Sequence, residues 1–137
     1  MSYTDKGLSH IYILHETGDA GAHRVVYMDG RKHPGEFAEH TWGGFSTGEW
    51  DGDTLVTWTA NVQGWVLHSL FEYSNKMEIV ETWKPRVENG QFAGLNHEAV
   101  FYDPDAFVAP LRATTQFQRN ATPQTEGARY MPIACLS

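Results

Sequence analysis

The chain is poor in the residue types that announce the common chemistries. Of its 137 residues only Cys135 is a cysteine, so no internal disulfide and no cysteine-based metal site can be built. Ten lysines and arginines face 17 aspartates and glutamates, a formal charge of −7, and basic residues gather nowhere beyond Arg31-Lys32. Proteins that bind nucleic acid through its phosphates carry a basic stripe, so nucleic acid is set aside as a partner. No apolar run approaches the roughly 20 residues that cross a bilayer, and the opening residues do not resemble a secretory signal. The expectation is a cytoplasmic protein with no membrane contact. Gly-x-Gly-x-x-Gly and Walker A patterns are missing too, so no cofactor is expected. No ten-residue stretch reads as a helix.

What the chain has in quantity is aromatic surface. Five tryptophans, six tyrosines and seven phenylalanines contribute to a hydrophobic fraction of 41%, which is the composition of a folded domain. A chain this long buries about two-thirds of its unfolded surface, so residues 1–137 are read as a single domain, with 1–8 and 120–137 peripheral.

Short β-branched and aromatic runs recur about every 10 residues. His10 to His15 and Arg24 to Met28 are strands, the second closed by Asp29-Gly30. Arg31 to His40 is a loop crossing the surface or an opening. The densest stretch, Trp42 to Trp58, holds three tryptophans and four glycines. It reads as strand, Asp51-Gly52 turn and strand. In Thr54 to Ala60, Val56, Trp58 and Ala60 share one face and Thr57 and Thr59 the other. Trp65 to Phe71 follows, then Met77 to Trp83, in which Met77, Ile79, Glu81 and Trp83 face one way. Gly94 to Tyr102 puts Leu95, His97, Ala99 and Phe101 on one face, and Leu111 to Gln118 is the last strand. The fold expected is all-β: a small antiparallel up-and-down, lipocalin-like barrel of about eight strands with an internal pocket.

Two longer motifs carry a resemblance. Tyr27-Met28-Asp29-Gly30-Arg31-Lys32-His33-Pro34 is followed by a second motif running from Trp42 through Gly44, Ser46, Gly48 and Trp50 to Asp51-Gly52-Asp53-Thr54-Leu55-Val56. Together they resemble an uncharacterised bacterial family. That family carries Tyr-x-Asp-Gly-Arg-x-His-Pro and Trp-x-Gly-x-Ser-x-Gly-x-Trp-(Glu/Asp)-Gly-Asp-Thr-Leu-Val. The His68-Ser69 pair, Asp103-Pro104 and Pro110 extend the resemblance over about residues 24–119. Phe45 stands where that family usually has histidine, and Glu81-Thr82-Trp83 where it has Glu-Arg-Phe. The resemblance implies shared architecture and shared site positions, and no reaction.

Candidate chemistry rests on histidines and one carboxylate. Histidine moves protons near neutral pH, and His68 lies in an apolar strand, where the competing reading is a core ring bonded to a backbone carbonyl. Glu81 alternates with apolar residues, so burial is expected to raise its pKa and ready it as an acid or base; the competing reading is a solvated outer face. Tyr27 and His40 are expected to assist catalysis. Trp42, Phe45, Trp58, Trp65, Trp83 and His33 are expected to bind substrate, although tryptophans are core residues by default. Asp29 and Asp53 belong to turns, and Glu98 is expected to point outward. No metal is expected, because no histidine pair shares a strand at ligand spacing. Gly44-Phe45-Ser46-Thr47-Gly48 is only an approximate nucleophile elbow and has no helix to follow it.

This equipment suits a cofactor-independent lyase, dehydratase, isomerase or cyclase acting by general acid–base chemistry on a hydrophobic or aromatic small molecule in a barrel pocket. The alternative is a non-catalytic carrier or sensor of such a molecule. Pairing as a homodimer through an apolar sheet face is also open.

Overall fold

The structure is a computed structural model that describes residues 2–4, 7–14, 23–35, 37–64 and 72–119. Eight strands follow in chain order: β1 (Ser2–Thr4), β2 (Gly7–Leu14), β3 (His23–Tyr27), β4 (Phe45–Asp51), β5 (Thr54–Ala60), β6 (Glu78–Glu88), β7 (Gln91–Tyr102) and β8 (Leu111–Gln118). They form one mostly antiparallel sheet in that same order. No described helix is long and apolar enough to cross a membrane.

The expected meander is broken once. β3 and β4 are parallel, with Val26 opposite Ser46 and Tyr27 opposite Thr47. Parallel neighbours require a crossover rather than a hairpin, and the chain between Tyr27 and Phe45 supplies it. The other joints are tight. β4 and β5 turn on Gly52-Asp53, with Asp51 paired to Thr54, one residue later than the expected Asp51-Gly52 pair. Gly52 takes the positive φ of 62° at the first central position, where glycine suits a hairpin of matching twist. β6 and β7 turn on Asn89-Gly90, both at positive φ. β1 pairs with β2 along the sheet edge.

β6 runs past the expected end at Trp83 through Pro85, which pairs with Leu95 of β7. Proline is tolerated there because the pairing of β5 with β6 stops at Trp83, so no strand remains on that side to receive an N–H.

The faces of β5 are the reverse of a simple hydrophobic alternation. Leu55, Thr57 and Thr59 are buried, while Trp58 is 43% exposed. The threonines tolerate burial because their hydroxyls are partnered. Thr59 Oγ1 and Ser46 Oγ are 2.7 Å apart, and Thr57 Oγ1 accepts from Trp83 Nε1 at 3.4 Å.

The sheet curls toward this Leu55–Thr57–Thr59 face. Ile11 of β2, Val26 of β3 and Leu55 of β5 form one cluster, with Trp83 of β6 packed against it. Strands lie about 4.8 Å apart, so a flat sheet would hold Val26 and Leu55 apart across β4. Gly48 of β4 removes the obstacle. A Cβ there would stand 2.8 Å from both Val26 Cγ1 and Met28 Sδ, so the side chains of Val26 and of Met28, just past β3, lie directly over this glycine. Among the described residues no pairing joins β1 to β8, so the expected closed barrel appears here as a rolled open sheet.

At the far end Asp103 is 3% exposed. It accepts from Ser74 N and Oγ at 2.6 and 2.7 Å and from the backbone N–H groups of Asp105 and Ala106. It ties the turn before β6 to the end of β7.

Candidate functional site

Register carries three ionisable side chains to the concave face. Glu81 of β6 pairs with Thr57 of β5 and with Ala99 of β7. His97 of β7 pairs with Trp83 of β6. Side chains directly opposite share a face, so Glu81, Trp83, His97 and Thr57 all point inward. Arg24, two residues before the buried Val26 on β3, points to that face as well.

Glu81 is the centre of the group and only 4% exposed. Its Oε2 lies 2.7 Å from His97 Nε2, and its Oε1 lies 2.8 Å from Arg24 Nη1. The arginine contact is a charge contact, with Oε1 outside hydrogen-bond alignment. Arg24 Nε and Nη2 are buried without hydrogen-bond partners, so this guanidinium depends on Glu81 for its neutralisation.

Burial works to raise the Glu81 pKa. The hydrogen bond from His97 and the charge of Arg24 lower it by more, and the net direction is down. This corrects the expectation that burial would raise it. Glu81 is an ionised acceptor. Chemistry then assigns the shared proton, because a carboxylate only accepts and His97 Nε2 must carry the hydrogen. In a neutral ring the basic nitrogen is Nδ1.

Aromatic rings flank this pair. Trp83 lies 4.0 Å from the His97 ring centroid, tilted by 30°, and Phe117 of β8 is 5.9 Å from His97 and 6.2 Å from Trp83. Phe117 faces Leu95 and Leu111 faces Phe101 across the β7–β8 ladder, yet they remain 43% and 42% exposed. The concave face is thus open beside the His97–Glu81 pair and apolar where it is open.

Among the described residues, two of the expected site residues, Glu81 and Trp83, meet here. Tyr27, Phe45 and Trp58 alternate to the opposite face, where the crossover lays His33 against them. The His33 ring stacks on Trp58 at 3.8 Å, meets Phe45 edge-on at 5.5 Å and bonds Thr47 Oγ1 through Nε2 at 3.0 Å. Burial lowers the His33 pKa, so this ring is neutral near pH 7. Tyr27 stacks with Phe45 at 5.0 Å and lies under the Arg31 guanidinium, 3.9 Å from its centroid. Arg31 in turn grips Asp29, holding that carboxyl down to about 2. His40 lines a cleft of about 680 Å³ with His33 and Trp58, and Trp42 is 60% exposed. His68 and Trp65 lie outside the described residues, as does the expected strand Trp65 to Phe71. Of the tryptophans expected to line one pocket, Trp42, Trp58, Trp65 and Trp83, sheet alternation puts Trp58 and Trp83 on opposite faces, and Trp65 lies outside the described residues.

Sequence reasoning passed over His97 and Arg24. The inward face of β7 was legible from Leu95, Ala99 and Phe101, and His97 sits on it. Glu98, the next residue, faces the other way and pairs with Arg112. Among the described residues no three His, Cys, Asp or Glu side chains converge as metal ligands. No family model, no curated protein and no solved structure matches the chain.

Proposed function

We propose that this protein is a cofactor-independent enzyme that moves a proton on an apolar or aromatic small molecule, as a lyase, dehydratase, isomerase or cyclase does. The observation that carries the proposal is the buried Glu81 carboxylate bonded to His97 at 2.7 Å on a face lined by Trp83 and Phe117. Glu81 orients the ring and stabilises it when it charges, Nδ1 takes or returns the substrate proton, and Arg24 keeps Glu81 ionised. A positioned base of this kind contributes roughly 10²–10⁴-fold. The aromatic rings hold the substrate and exclude water. In this reading the rolled sheet closes around its ligand as a lipocalin-like barrel, in a cytoplasmic protein. The common architecture implied by the resemblance over residues 24–119 is part of the same proposal.

The test is deuterium wash-in. The protein is incubated in D₂O with a panel of aromatic and apolar carbonyl compounds, and carbon-bound deuterium is read by mass spectrometry. The expected result is catalysed exchange into at least one compound, lost by about 100-fold or more in His97→Gln while affinity for that compound stays near normal. A compound that binds the concave face but never exchanges, in wild type or variant, overturns the enzyme reading.

A second reading, a non-catalytic carrier, is favoured by one observation. Glu81 is held from both sides, by Arg24 and by His97, as in an ion pair that only maintains structure. It predicts saturable binding of the same compounds with no exchange.

A further inference from the structure

The opposite face carries a cavity that takes no part in the proton chemistry. Its wall is the crossover laid over β4 and β5, its far side the turn before β6, and its volume about 680 Å³. Ligand clefts for organic molecules run from roughly 300 to 1,000 Å³. We propose that this cleft is a separate binding site for a neutral, planar aromatic molecule, stacked against Trp58.

Three features carry the assignment. The first is aromatic surface left open along the cleft. His33 covers Trp58 at 3.8 Å and 19°, yet the indole stays 43% exposed, and Phe37, on the same lining, is 97% exposed. An offset ring against an indole gains about 0.5–1.5 kcal/mol beyond area burial, and water supplies no such partner. His33 is not free to swing away, because Thr47 holds its Nε2.

The second feature is a firm floor with polar handles. Met77 and Asn61 line the cleft and are 3% and 6% exposed. Asn61 Nδ2 is committed to Gly35 O at 2.7 Å, which fixes the amide and leaves Oδ1 as an acceptor. Asn75 is fixed in the opposite sense, its Oδ1 accepting from Gly64 N, so its amide N–H groups are donors for a ligand. A fixed acceptor and a fixed donor suit one hydroxyl or carbonyl on the ring.

The third feature is charge. The lining holds Lys76 and Glu78, and Lys76 is already paired with Asp105 at 3.3 Å. With a chain charge of −7 and Lys76 engaged by Asp105, no unengaged lysine or arginine lines the cleft to meet an anion, and burial disfavours the charged form of His33. A neutral ligand is the consistent choice.

The probe is 2-naphthol, added to the full chain and followed through the five tryptophan indole N–H resonances and the methionine methyls by NMR. The expected result is a saturable shift of the Trp58 indole and the Met77 methyl. Trp58→Ala, read at Met77, weakens binding about tenfold or more. Phe37→Ala, at a residue with no packing to lose, weakens it by roughly threefold or more. Glu81→Gln and His97→Gln leave it within about twofold, since their side chains lie on the other face of the sheet and are not part of the cleft lining. The inference is overturned if 2-naphthol shifts Trp83 rather than Trp58, if no saturation is reached, or if Phe37→Ala and Trp58→Ala both bind like wild type. None of these outcomes bears on deuterium exchange at His97.

Discussion

Replacing Glu81 by glutamine tests the arrangement where it is most tightly determined. The substitution keeps shape and removes charge. Arg24 then lies mostly buried, with Nε and Nη2 already unpartnered, and loses the carboxylate 2.8 Å from Nη1. Removing one partner of a buried ion pair costs about 3–5 kcal/mol. Arg24 is 18% exposed, so the lower end, roughly 3 kcal/mol, is expected. For a chain of this size that lowers the melting temperature by on the order of 10 °C. The pH dependence follows from the direction of the Glu81 pKa. Its folded value lies below its ordinary 4.5, so its contribution is complete above that pH and is lost as pH falls through the folded value. The gap between wild type and Glu81→Gln in urea denaturation is therefore wide at pH 7 and narrows below 4.5. The double variant Arg24→Met/Glu81→Leu recovers most of the loss, because removing a whole buried pair is often neutral or stabilising. A single-variant cost under about 1 kcal/mol, or a double variant no better than the single, refutes the reasoning.

Three further outcomes test the frame around the site. Gly48→Ala introduces a Cβ 2.8 Å from Val26 Cγ1 and Met28 Sδ and is expected to cost about 1–3 kcal/mol in chemical denaturation, against near-neutrality if the sheet did not curl over this residue. Asp103→Ala strands the four donors that converge on it and is expected to cost about 2–4 kcal/mol. Burial raises the Asp103 pKa, but those hydrogen bonds lower it further, below 3.8, so the difference from wild type fades as pH falls through the folded value. His33 acts in the same direction toward acid. Its folded pKa lies below 6.5 because it is buried, so the unfolded chain binds the extra proton and stability declines as pH falls below 6.5. His33→Phe removes that portion of the decline in thermal melts between pH 7 and 5.

Strand positions were legible because each carries its own local signal. Thr54–Ala60 and Leu111–Gln118 were readable to the residue, framed by glycine turns and by proline. Pairing was less so. Nothing local in Arg24 to Met28 says that its neighbour in the sheet runs parallel to it, since that depends on where the crossover returns. Which face of β5 is buried was not legible for a related reason. Threonine counts as polar in an alternation pattern, whereas Thr57 and Thr59 are buried with their hydroxyls satisfied by residues from other strands. The candidate site divides along the same line. Glu81 and Trp83 announced themselves by sharing a face within one strand. Their connection to His97 and Arg24 is a matter of register between β6 and β7 and of curl between β3 and β6, neither of which is written in one strand alone.

The central claim is that Glu81 holds the His97 proton on Nε2 and leaves Nδ1 as the base. Long-range ¹H–¹⁵N spectra of the histidine rings measure this directly at about pH 9, where an ordinary imidazole is neutral. The account predicts the Nε2–H form of His97 in the wild type, with the preference relaxed in Glu81→Gln. A His97 ring protonated on Nδ1 in the wild type would contradict it, because an unprotonated Nε2 cannot face an ionised carboxylate at 2.7 Å.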